Sequence, residues 1–245
     1  MQRTNHESHS TSSSTARVAR RLSACAAAVV LTAAWSGGST ATAATVALDN
    51  TLNKGRTLSG TAGPLTTTDW NLKVFTVGSS NATISSMVMG LFSYTQATYN
   101  ITWELYAVDG SNNPDGAALA TDTQQRSFTS TGGANSVYAT FTTGGTLASY
   151  SMQAGQTYGL LFKSDAVGGS SLSWTRANSN TVYSPGSSGF SFVANRRTTD
   201  SGNSYSDSGY YNAWQLNVTP SAVPGAGLAG LATLGLAGVS RRRRR

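Results

Sequence analysis

The sequence predicts an all-β protein: an antiparallel β-sandwich of jelly-roll-like type, flanked by an N-terminal signal peptide and a C-terminal hydrophobic helix. Three observations lead there. Between Thr45 and Pro220 apolar residues recur at every second position, the spacing of half-buried strands. Clusters of Gly, Asn, Asp and Ser punctuate these runs. No helical stripe of useful length competes with them, and the composition, with 26 Gly and 11% charged residues, suits short strands joined by polar turns.

Taken in chain order, Met1 to Thr15 is polar and rich in Ser and Thr. Arg17, Arg20 and Arg21 then precede an apolar run from Ala24 to Trp35, the basic-then-apolar order that the export machinery reads. That run is too short to span a bilayer core of about 30 Å. Ala41-Thr42-Ala43 forms an A-x-A site, so signal peptidase is expected to cut before Ala44 once the chain has entered the export translocon. The lone Cys25 precedes the apolar run rather than following it, so the lipoprotein-like Leu22-Ser23-Ala24-Cys25 is read as coincidence.

Cys25, His6 and His9 all fall in this leader. The exported part therefore has no disulfide, no histidine base, no Ser/His/Asp or Cys/His arrangement, and no imidazole or thiolate metal site. The net charge of +7 is similarly confined. Nine of the 17 basic residues and one of the 10 acidic residues lie in the two ends, which leaves eight against nine in the middle. The alkaline character belongs to the targeting segments, and no nucleic-acid partner is expected.

Strands are expected at Asn71–Val77, Ser85–Phe92, Asn100–Ala107, Ser136–Phe141, Thr157–Lys163, Ser171–Thr175, Gly189–Ala194 and Ala213–Val218. In the third of these, Ile101, Trp103 and Leu105 alternate with Asn100, Thr102, Glu104 and Tyr106, which puts Glu104 on the face opposite Trp103. The stretch from Asp109 to Gly116, with Gly132-Gly133, Gly144-Gly145 and Gly168-Gly169, supplies turns.

The candidate chemistry is thin. Glu104 is the middle's one glutamate, and a glycosidase needs two carboxylates at a set separation; the aspartates sit mostly in evident turns. No catalytic residue is assigned. Asp109, Ser111, Asn113 and Asp115 superficially resemble a calcium loop, but the sixth and twelfth positions hold Pro114 and Ala120 where Gly and Glu are required. A hairpin turn is expected there instead. No cofactor is expected, with structural calcium as the alternative on so many oxygen ligands. Trp103 and Trp214 fall in phase with the core. The segment from Asn195 to Tyr211 reads as a long exposed loop and a ligand site, through Arg196, Arg197, Tyr205, Tyr210 and Tyr211.

The chain closes with Val223-Pro224-Gly225-Ala226, an uncharged run through Val239 and the cluster Arg241, Arg242, Arg243, Arg244, Arg245. As a helix the run from Val223 measures about 25 Å, enough for a thin bilayer, and the arginines hold its end in the cytoplasm. This layout resembles the PEP-CTERM sorting signal, with Pro224-Gly225-Ala226 standing where that family has Pro-Glu-Pro. The resemblance implies cleavage by an exosortase-like enzyme and an association with exopolysaccharide.

The middle has its own likeness. Ile101-Thr102-Trp103-Glu104-Leu105-Tyr106, the Asn113-Pro114-Asp115-Gly116 loop, Ala154-Gly155-Gln156-Thr157-Tyr158-Gly159-Leu160 and Ala213-Trp214-Gln215-Leu216 resemble the choice-of-anchor extracellular β-sandwich domains. That label implies no defined catalytic activity.

The expected organisation is a signal peptide with a polar extension (1–43), a β-sandwich domain (44–220) and a sorting tail (221–245). The expected function is that of an exported, non-enzymatic surface or matrix protein, held transiently in the inner membrane by its tail before it reaches the envelope or the medium. The alternatives are a carbohydrate-binding module and, behind it, a carboxylate-based glycoside hydrolase.

Overall fold

The computed structural model describes residues 43–51, 58–129, 137–168, 172–177, 182, 188–209 and 211–221, with the side chains of 58–62 left aside. Ala41, Tyr210, the motif from Val223 to Ala226 and the cluster from Arg241 to Arg245 lie outside them; Ala43 and Ala44 are exposed ahead of the first strand. Among the described residues no helix is long and apolar enough to cross a membrane.

The described residues form twelve strands in order: β1 (Thr45–Asp49), β2 (Leu58–Pro64), β3 (Trp70–Thr76), β4 (Ala82–Ser93), β5 (Ala97–Val108), β6 (Pro114–Phe128), β7 (Val137–Thr142), β8 (Thr157–Ser164), β9 (Leu172–Ala177), β10 (Ser191–Thr198), β11 (Ser206–Asp207) and β12 (Trp214–Pro220). They form two six-stranded sheets in which every pairing is antiparallel. The first sheet runs β1-β12-β4-β9-β2, with β7 also on β4; the second runs β11-β10-β3-β8-β5-β6. The twelve residues of β4 are shared: 82–89 face β12, 86–91 face β7 and 91–93 face β9.

The inward side chains of both sheets meet in one core. Trp103 of the second sheet lies edge-on to Phe141 of the first at 5.0 Å, Phe162 to Trp174 at 4.6 Å, and Phe192 packs near Trp214 at 6.2 Å. These aromatic contacts add packing specificity to the apolar burial that drives the assembly. In β5 the expected alternation holds: Tyr99, Ile101, Trp103 and Leu105 are buried, while Asn100, Thr102, Glu104 and Tyr106 face outward, half-buried. The turn after β5 is the expected hairpin. Asp109 Oδ1 accepts from the backbone N–H groups of Ser111 at 2.8 Å and Asn113 at 2.9 Å, and Asn112 takes the left-handed φ of 63° that Asn tolerates better than most residues.

Two departures from the sequence expectation stand out. The segment from Asn195 to Tyr211 is not one loop: β10 continues through Thr198, and a tight turn returns the chain as β11. The turn closes because Asp200 accepts from Thr198 Oγ1, Ser204 N and Ser204 Oγ. The second departure is that β3 and β8 are buried on both faces. Outside the main core, Leu72, Val74 and Leu161 form a second apolar cluster on the outer face of the second sheet. There Gly159 leaves room for its neighbours: a Cβ would come within 2.8 Å of Leu72 Cδ1 and 2.9 Å of Val108 Cγ1.

Candidate functional site

The outer cluster is the floor of the candidate site. Trp70, Tyr106 and Tyr205 pack against it and stay partly exposed. Outward positions of β5 and β8 bring Lys163, Glu104 and the Tyr106 hydroxyl together above the floor. Lys163 Nζ lies 2.7 Å from Glu104 Oε1, Glu104 Oε2 accepts from Tyr106 Oη at 2.8 Å, and Lys163 Nζ stands 4.7 Å from the centroid of a Trp70 ring. The ammonium is thus held between a carboxylate and an aromatic face, both of which attract it. The indole is anchored in turn, Nε1 donating to Thr67 O at 2.9 Å.

Both phenols remain protonated across the physiological range. Burial raises Tyr106 furthest, helped by its hydrogen bond to Glu104 and by that carboxylate's charge. Tyr205 is pushed up to about 12, by burial first and then by the charges of Glu104 and Asp200.

Beside the trio lies an open depression of about 270 Å3, lined by Thr67, Trp70, Asn100, Thr102, Lys163, Ser164 and Asp165. Asp165 fixes Asn100, accepting from its backbone N at 2.9 Å and its Nδ2 at 2.6 Å. One aromatic ring beside hydroxyls, an amide and a charge of each sign is the kind of lining that receives a hydroxyl-rich ligand.

Of the expected ligand-loop residues, Arg196, opposite Leu72, and Tyr205 lie at this floor, while Arg197, opposite Asn71, has the inward parity. Arg196 bridges two hairpins, bonding Asp207 at 2.6 Å, Asn113 Oδ1 at 2.9 Å and Tyr205 O at 3.2 Å. Arg197 pairs with Asp69 at 2.6 Å. Both guanidinium groups hold the fold's own elements together, and Tyr205 rests on the apolar floor. Tyr211 sits apart from them, its carbonyl accepting from Ala177 N at 2.8 Å in the first sheet. The carboxylates nearest the depression are engaged, Glu104 by Lys163 and Tyr106, Asp165 by Asn100. Among the described residues no three His, Cys, Asp or Glu side chains gather where they could hold a metal.

Sequence reasoning passed over Lys163 as a strand flank. Its signal was parity: it shares the outward phase of Gly159 and Leu161, opposite Thr102 in the neighbouring strand. A second polar group, in the main core, was also missed. Lys73 points inward from β3 and is buried with Asn50, Asn71, Asn195 and Asn212. Lys73 Nζ donates to the side-chain oxygens of Asn195 and Asn212 and lies 4.8 Å from a ring centroid of Trp174.

No protein-family model, no curated protein and no solved structure matches the chain.

Proposed function

We propose that this is an exported, non-enzymatic protein of the cell surface or extracellular matrix. Its two sheets form a jelly-roll-like sandwich, a signal peptide ending at Ala43 delivers it, and a PEP-CTERM-like tail, processed by an exosortase-like enzyme near Pro224, sorts it. The sandwich contacts polysaccharide through the outer face of its second sheet. The observation that carries this reading is the depression beside Trp70, where Asn100, Thr102, Lys163 and Asp165 offer donors and acceptors around a partly exposed indole. Polar groups placed around an aromatic surface suit a sugar ring, whose edges carry hydroxyls and whose faces are apolar.

Two measurements on protein from its native host test the proposal. Intact mass with cell fractionation should show a chain that lacks Arg241 to Arg245 and lies outside the inner membrane; a chain that keeps them in the inner membrane overturns the sorting reading. Co-sedimentation with the host's exopolysaccharide should fall at least tenfold in a Trp70→Ala, Lys163→Ala double variant, a loss of about 1.4 kcal/mol or more. Wild-type protein that leaves the polysaccharide unbound overturns the binding reading.

A further inference from the structure

Lys73 is 1% exposed, and none of the described carboxylates is bonded to it. Burial alone pulls its pKa well below the ordinary lysine value, which enriches the neutral, nucleophilic amine. Its two amide neighbours are not equivalent. Asn195 Nδ2 donates to Ser208 O at 3.2 Å, whereas Asn212 Nδ2 is buried without a hydrogen-bond partner. Lys73 Nζ is 2.5 Å from Asn212 Oδ1. A carbonyl oxygen is about 1.2 Å from its carbon, so Nζ is within about 3.7 Å of Asn212 Cγ, close to the separation of reacting atoms in a near-attack arrangement. Trp174 and the surrounding core exclude water from the pair.

We propose that Lys73 and Asn212 join in an intramolecular isopeptide bond, a covalent tie from β3 in one sheet to the entry of β12 in the other. The neutral Nζ attacks Asn212 Cγ. A bond forms between them, the Cγ–Nδ2 bond breaks, one proton passes from Nζ to Nδ2, and the old amide nitrogen leaves as ammonia. The product is a secondary amide, and no oxidant, reductant or further reactant takes part. The expelled group is one that the fold leaves unsatisfied, so the reaction removes a buried orphan donor together with a buried amine. The single N–H left on the product can donate to Asn195 Oδ1, which makes Asn195 a positioning residue. No carboxylic acid among the described residues is bonded to Asn212 Oδ1 to polarise it, so the conversion relies on proximity and exclusion of water, and it is slow.

The test is mass spectrometry of the full-length chain, as purified and again after extended incubation at alkaline pH. The expected result is a chain lighter by one ammonia, whose protease digest contains a branched peptide joining Lys73 to Asn212. Lys73→Met and Asn212→Ala should each restore the full mass. Because the bond is covalent it is read on denatured protein, where the wild type should also migrate faster than either variant on a denaturing gel. Full mass at both times, a deficit that maps elsewhere, or a branch to Asn195 overturns the proposal.

Discussion

Trp103 and Trp174 form a matched pair from which a stability difference can be worked out. Both indoles are fully buried in the shared core, one in each sheet, and each meets an aromatic ring edge-on, at 5.0 Å and 4.6 Å. They differ at the ring nitrogen. Trp174 Nε1 donates to Ala213 O at 2.9 Å, whereas Trp103 Nε1 is buried without a partner. Replacing either by Phe deletes the same volume, so the cavity costs cancel to first order. The polar remainder does not cancel. Trp103→Phe discards an orphan donor, a relief of about 1 kcal/mol, while Trp174→Phe forfeits a made hydrogen bond worth about 1 kcal/mol. Trp174→Phe should therefore cost about 2 kcal/mol more than Trp103→Phe. Urea unfolding followed by the fluorescence of the remaining tryptophans measures this, as a difference in midpoint at a shared slope. Equal losses, or a larger loss at Trp103, refute the argument.

Two further outcomes are expected. Asp200 is held at about 2 by hydrogen bonds from Ser204 and Thr198; because that lies below its ordinary 3.8, the stabilisation is complete above pH 3.8 and is lost as pH falls through about 2. Carbon-13 titration of the carboxyl should give that low midpoint, and one at the ordinary value would contradict the turn geometry. Gly145 has φ +54° and a Cβ there would meet Thr121 O at 2.5 Å, whereas Gly116 has φ +71° and open space. Gly145→Ala should cost about 2 kcal/mol or more and Gly116→Ala about 1 kcal/mol, so thermal melts that rank them the other way would exclude the contact.

What the sequence reveals of this fold depends on how many faces each strand buries. β5 is plain to read because one parity is apolar and the other polar. β6 is missed although it has fifteen residues, because it is an edge strand whose run from Asp115 to Ser127 is mostly exposed and rich in Asp, Gln and Thr. β3 is found but its faces are ambiguous. In Trp70-Asn71-Leu72-Lys73-Val74-Phe75-Thr76 both parities carry apolar residues, and a lysine in such a run is expected to face solvent. The second cluster on the outer face settles the matter, since Leu72 and Val74 turn toward it and Lys73 is left pointing into the core. The site is legible to the same degree. Glu104 can be named from the sequence, but its pairing with Lys163 depends on β5 and β8 being neighbours despite their distance along the chain. The aspartates that cap turns were recognisable as such, and Asp109 and Asp200 do cap theirs.

The position of β12 also governs how the domain answers mechanical load. It is the last of the described strands and runs between β1 and β4, paired with β4 from Trp214 to Pro220 and with β1 from Gln215 to Val218. Backbone hydrogen bonds in antiparallel sheets lie across the strands. A pull on the chain beyond Pro220, directed along the strand, therefore loads two ladders in shear at once, and many bonds must fail together instead of parting one by one. Thr45 pairs with Val218, so the first and last strands lock each other at the same end of the sheet. Under such a pull the rest of the sheet would yield before this strand slid out.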